Sequence, residues 1–182
     1  MHPEILSIAL FWFVTAYTPG PNNVVASYSG FNFGITKTIP HILGVTLGFT
    51  SLVIFLTIGL INVFKLFPVI QIAIKYLGTL FLTYLAYKIA SSTNSNETQR
   101  ENPVKFIETF LFQYLNPKGV MVAIIVVSTY VELGENYINY AIQVVVLAFL
   151  FSSTSITLWT FIGKFLRKFA TNDKFIKYFN YA

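Results

Sequence analysis

The 182-residue sequence contains no cysteine. That single absence removes disulfides, thiolate zinc centres, iron–sulfur ligation and cysteine nucleophiles together. Histidine is nearly as scarce, at His2 and His41 alone, and the sole aspartate is Asp173. No metal centre and no cofactor is expected from so few ligands. Charge is the third shortage. Charged residues make up 10% of the chain, against about 25% in soluble domains. Too little charge remains to cover a water-facing surface, which excludes a soluble enzyme, a secreted disulfide scaffold and a disordered tail. There is no GxxxxGK[ST] loop to cradle phosphates, no HExxH and no GxSxG. Neither ATP hydrolysis nor a hydrolase is therefore expected, and the chain does not read as an enzyme.

What is present is apolar. Hydrophobic residues reach 55% and aromatic residues 18%, with a mean hydropathy of +0.66. Five apolar segments stand out, at residues 5–28, 39–64, 69–89, 106–130 and 140–162. Each is long enough for a hydrocarbon core of about 30 Å. The charged residues inside them are Lys75, Lys88, Glu108 and Lys118. Without water to satisfy backbone groups, such runs are expected as helices. The expected fold is an all-α polytopic membrane protein of about five transmembrane helices in one domain, residues 1–182. The net charge of +5 and pI near 9.4 would suit nucleic acid, but basic membrane proteins keep that excess in cytoplasmic loops. Membrane lipid, not nucleic acid, is the expected partner. The start, Met-His-Pro-Glu, lacks the cationic region of a cleavable signal, so the first apolar run is expected to stay in the protein.

The longest polar stretch, residues 91–105, is rich in Ser, Asn and Thr and reads as a flexible cytoplasmic linker. It divides the chain into a first half, residues 1–90, and a second, residues 106–182. Lys and Arg cluster around the linker and again at Lys164, Arg167, Lys168, Lys174 and Lys177, whereas the loop after the fourth segment carries Glu132 and Glu135. The positive-inside rule then puts the N-terminus outside and the linker and C-terminal basic stretch in the cytoplasm.

Two segments are interrupted. The first carries Thr18-Pro19-Gly20-Pro21-Asn22-Asn23, and the fourth carries Asn116-Pro117-Lys118-Gly119. Proline removes an amide donor and clashes with the preceding turn, and Gly20 frees the backbone between two prolines. Residues 5–17 make only about 20 Å of helix, so the first break is expected within the membrane. Irregular backbone at that depth is tolerated where protein buries it or where it lines a wet cavity. A pair of breaks in the first helix of each half matches inverted-repeat transporters with discontinuous helices at the substrate site. Half-helix N-termini offer amides to an anion and half-helix C-termini offer carbonyls to a cation. A zwitterionic amino acid needs both. The expected binding residues are Pro19, Gly20, Pro21, Asn22, Asn23, Asn116, Pro117 and Lys118. The asparagines can also cap the new helix ends. The Lys118 ammonium can meet a substrate carboxylate or a coupling proton, or can bond carbonyls freed by Pro117.

Weaker features complete the reading. Gly44 and Gly48 form a GxxxG expected to pack helices closely. His41, following Pro40, suits an interfacial helix start better than a proton relay. The hydroxyls of Ser152, Ser153, Thr154, Ser155, Thr157 and Thr160 can line a polar path or bond their own helix. Glu108 is expected at the membrane interface.

Thr18-Pro19-Gly20-Pro21-Asn22-Asn23, then Ser29-Gly30-Phe31-Asn32-Phe33-Gly34, Pro40-His41, Gly44, Gly48 and Gln113-Tyr114-Leu115-Asn116-Pro117-Lys118-Gly119 resemble, in order, the LysE/RhtB family of amino-acid exporters. Within it the look is most like the cysteine and O-acetylserine exporter branch. The resemblance implies proton-driven efflux of small amino acids or their derivatives across the bacterial inner membrane. The expected protein is multi-pass, and a homo-oligomer is left open by the sequence. Thr109 stands where the family usually has glycine. Family members also continue into a further hydrophobic helix where this sequence reaches Ala182, so an inverted 3+3 repeat is expected here as 3+2, lacking the last transmembrane helix. The competing readings are a non-transporting membrane module, an inactive truncated exporter remnant and a passive channel.

Overall fold

The computed structural model describes residues 2–60, 103–132 and 134–169, with isolated positions between 66 and 87. Among the described residues the structure is helical and contains no strand. Helix α1 (Ile5–Tyr17) ends where Thr18 precedes Pro19 and turns extended, at ψ 142°, as the ring of a following proline requires. Helix α2 (Pro21–Phe55) restarts with Pro21 in its first turn, where a missing amide costs nothing. The second break repeats the device. Helix α3 (Phe106–Leu115) ends at Asn116, ψ 105°, and α4 (Pro117–Tyr130) opens on Pro117, bent by 60° from α3. Helix α5 (Tyr137–Arg167) is continuous over 31 residues.

By length and hydropathy, Tyr137–Arg167 and Pro21–Gly59 can each cross a membrane, and the bent pair α3–α4 makes a third candidate. The run from Pro21 is not straight, however. Gly34 adopts φ 77° and ψ 176°, a backbone that side chains other than hydrogen disfavour. Ser29 Oγ donates to Thr38 Oγ1 at 2.8 Å, and His41 Nε2 donates to Asn22 O at 3.3 Å. In an unbroken helix, residues nineteen apart lie about 28 Å apart, so the chain folds back at Gly34 into two antiparallel arms, 21–33 and 35–55. Arg167 donates to Phe31 O and Asn32 O at 3.1 and 2.9 Å, placing a cation at the carbonyl end of the first arm. A π turn, Leu56–Leu60, follows the second arm.

Glycines set the close approaches. A Cβ on Gly30 would run into Thr160 O, and one on Gly163 into Ser27 O, so the first arm of α2 lies directly against α5. Gly44 and Gly48 face α3. A Cβ on Gly44 would strike Thr109 Oγ1 and lie 2.6 Å from Phe106 O, and one on Gly48 would lie 2.6 Å from Phe110 O. The GxxxG is thus seated on a neighbouring helix of the same chain.

These contacts order the bundle from end to end. The Gly34 turn, the start of α3 and the end of α5 share one end, with Lys37, Lys105, Lys164, Arg167 and Lys168. His2 bonds Gln143 and Tyr130 O and Tyr137 bonds Thr57 O at the other, which carries Glu4, Glu132 and Glu135. Glu108 sits at the head of α3, where its carboxylate accepts from Lys105 N at 3.2 Å. A large apolar cluster at the acidic end joins Ile8, Trp12, Leu52, Val126 and Val144 among others. A smaller one toward the basic end joins Ala26, Val45 and Ile156.

His41 departs from expectation: Pro40 opens no helix, because the second arm already begins after Gly34, and His41 is buried between the arms. The third apolar segment falls mostly outside the described residues. So do residues 91–102 of the linker, and the C-terminal residues 170–182 with the expected first turn of a further helix.

Candidate functional site

The two breaks, 98 positions apart in sequence, meet. At the C-terminal end of α1 the last carbonyls have no intrahelical partner. Asn23 Nδ2 donates to Ala16 O and Thr18 O, both at 2.9 Å. Ser155, from α5, donates to Ala16 O at 2.7 Å. Lys118 Nζ reaches across from α4 to Thr18 O and Thr18 Oγ1 at 2.9 Å and to Pro19 O at 3.4 Å. Gly20 leaves the space for it, since a Cβ there would lie 3.0 Å from Lys118 Cδ. Hydrogen bonds to charged groups contribute about 1.5–3 kcal/mol each, which offsets the roughly 2.5–3.5 kcal/mol cost of a mid-membrane lysine. The carbonyls that receive Lys118 are those released at the other break, rather than any freed by Pro117.

Asn22 is engaged differently. Its Nδ2 donates to Gln113 Oε1 at 2.8 Å and its Oδ1 accepts from Gln113 Nε2 at 3.2 Å, while Gln113 Nε2 also reaches Thr109 O at 2.8 Å. This closed amide pair ties the first turn of α2 to the last turn of α3. Asn23 binds the end of α1, not its own helix. Asn116 is the N-cap of α4, yet its side chain makes no capping bond.

Between these groups lies a cavity of about 80 Å³. At roughly 15 Å³ for each water-sized group it takes about five of them, the scale of a small amino acid. Gly20, Pro21, Asn22, Asn23, Asn116 and Lys118 line it, and Pro19 and Pro117 stand just behind as the residues that open the two breaks. Trp12, Phe49 and Val122 form apolar wall, and Val45 and Ile156 lie toward the basic end. The cavity therefore sits between the two apolar clusters, each of which contributes a wall residue. First-turn residues of both α2 and α4, Asn22 and Asn23 of one and Lys118 and Gly119 of the other, line the cavity, so two positive helix ends lie at it.

The α5 hydroxyls divide. Ser152, Ser153, Thr154 and Thr160 donate to carbonyls of their own helix, while two of the hydroxyls bond across to α1: Ser155 donates to Ala16 O and Thr154 Oγ1 accepts from the Tyr17 hydroxyl at 3.0 Å. Ser152 and Ser155 reach the cavity. Sequence reasoning did not single out Trp12, Gln113 or Phe49 as site residues. Gln113 carried a usable signal, an amide inside a 25-residue apolar segment. Trp12 and Phe49 carried none, because an aromatic in an apolar run reads as core or lipid surface.

Comparisons with known proteins identify the family. A family model described as LysE type translocator matches residues 13–181. The cysteine/O-acetylserine efflux protein of Salmonella typhimurium is 31% identical over 92% of this chain and 87% of its own length. That of Escherichia coli K12 is 27% identical over the same shares. No solved structure matches the chain. A match spanning nearly every residue places the chain in the LysE-type translocator family, and so among membrane transporters rather than enzymes.

Proposed function

We propose that the protein is a proton-driven exporter of small zwitterionic amino acids or their derivatives across the bacterial inner membrane, in the class of cysteine and O-acetylserine. The observation that carries this reading is the meeting of two helix breaks at one cavity of amino-acid size. Pro19, Gly20 and Pro21 open the first break and Pro117 the second, while Asn22, Asn23, Asn116 and Lys118 furnish its polar surface. The halves before and after the linker act as inverted repeats. They rock about the contact in which Lys118 and the Asn22–Gln113 pair join them, exposing the cavity to each side in turn. Cargo loaded into the cavity replaces water at the two positive helix ends, and release follows when one apolar cluster parts.

The test is export of labelled O-acetyl-L-serine from preloaded cells, with and without a protonophore. Expression of the protein is expected to speed export several-fold, and the protonophore is expected to abolish the gain. Export that persists after collapse of the proton gradient identifies a passive channel. No gain at all identifies a non-transporting module.

A further inference from the structure

The cavity is lined by polar groups that are mostly spoken for. Lys118 Nζ is held by three oxygens of the first break. The Asn22 and Gln113 amides hold each other, and Asn23 Nδ2 is held by Ala16 O and Thr18 O. Thr15, Ser152 and Ser155 donate their hydroxyl protons to Phe11 O, Phe149 O and Ala16 O. Two lining side chains differ. Trp12 is 1% exposed and Asn116 is 3% exposed, yet Trp12 Nε1 and Asn116 Oδ1 have no partner in the protein.

An unmet buried polar atom costs about 1–3 kcal/mol. A fold that keeps two of them on one cavity wall recovers that cost only when something enters. Trp12 Nε1 is purely a donor and Asn116 Oδ1 purely an acceptor. The edge-on ring of Phe49, centroid 5.6 Å away and at 89°, fixes the indole. The Asn116 amide nitrogen lies on the Gly119 side, where a Cβ would sit 3.5 Å from it and 3.6 Å from the Phe49 ring. The carbonyls that would otherwise attract an amino group, at the end of α1, are already filled by Lys118 and Asn23.

We propose that Trp12 Nε1–H and Asn116 Oδ1 read the two ends of a zwitterionic cargo, the indole donating to its carboxylate and the amide oxygen accepting from its ammonium. The first-turn amides of α2 and α4 bias the carboxylate toward the same space. This assignment rests on the export reading above and adds to it a specific residue, Trp12, and a requirement that both charged ends be present.

The test uses purified protein in proteoliposomes and counterflow of labelled O-acetyl-L-serine, with three competitors: L-cysteine, cysteamine, which lacks the carboxylate, and 3-mercaptopropionate, which lacks the ammonium. With the native protein, cysteine is expected to compete at least about tenfold better than either analogue, the worth of one hydrogen bond to a charged group. Trp12→Phe is expected to weaken cysteine about tenfold and leave cysteamine unchanged. Asn116→Leu is expected to weaken cysteine similarly and leave 3-mercaptopropionate unchanged, while Asn116→Asp, which keeps an acceptor, restores cysteine. A native protein that treats cysteine and both analogues alike overturns the proposal, as does undiminished cysteine competition in either reconstituted variant. Native proteoliposomes with no counterflow overturn the export reading itself, so the two failures are told apart.

Discussion

Asn22 and Gln113 form a closed pair in which Gln113 Nε2 has Thr109 O as a second acceptor, while Gln113 Oε1 is held by Asn22 Nδ2. The first-turn asparagine of α2 and the buried glutamine of α3 each donate to and accept from the other. Removing one side chain therefore strands the other. Gln113→Leu is expected to lower stability by about 1–3 kcal/mol, read as a fall in the thermal unfolding midpoint of detergent-solubilised protein by the fluorescence of Trp12 and Trp159. Asn22→Leu together with Gln113→Leu is expected to recover part of the loss. Strictly additive losses would contradict the pairing. Asn22 was legible in the sequence because it follows a Pro-Gly-Pro break, and Asn116 and Lys118 because they flank Pro117. Their partners were not, since Thr18 and Lys118 are 100 residues apart and nothing in local pattern links them. Trp12 was hidden for another reason: only the burial of its N–H without a partner distinguishes it from an ordinary apolar anchor.

At the level of elements, proline and glycine do most of the shaping, by different means. The steps at Pro19, Pro21 and Pro117 end one helix and start the next, so both breaks could be read directly from the sequence, whereas Pro40 lies inside a helix. Their 60° consequence at Asn116 could not, because it depends on what α3 and α4 pack against. The apolar segments ending at 28 and starting at 39 bracketed the turn, but its position at Gly34 follows from φ 77°, which only the backbone reveals. Glycines at crossings should respond to substitution differently from glycines at turns. Gly34→Ala meets no atom within 4 Å and is expected to cost about 1–3 kcal/mol from positive-φ backbone strain alone. Gly163→Ala drives a methyl into the Ser27 carbonyl, which cannot move without separating α2 from α5, and is expected to cost more. Thermal unfolding of the two variants side by side checks the order, and an equal or reversed ranking contradicts the close α2–α5 crossing. Thr109 faces Gly44, so the small residue at this crossing lies on α2 instead of α3.

For the whole molecule, the segregation of charge was legible as a loop pattern and is present among the described residues as two ends, five cations with Glu108 at one and three carboxylates at the other. The orientation expected from the sequence, with the basic end in the cytoplasm, is a proposal that rests on this pattern. The cysteine-free sequence makes this simple to check, since any introduced thiol is the only one. Glu4→Cys is expected to react with a membrane-impermeant maleimide on intact spheroplasts, and Lys37→Cys only after permeabilisation. The reverse pattern would invert the topology. The composition alone established a membrane protein. The paired breaks pointed to a transporter, and their convergence on one cavity could be seen only in three dimensions. That convergence is the central claim, and it is tested most directly by export of labelled O-acetyl-L-serine from cells expressing native protein, Asn22→Ala or Asn116→Ala at matched membrane levels. The account predicts that each substitution, one at each break, lowers export about tenfold or more. Export at the native rate from both variants would contradict it.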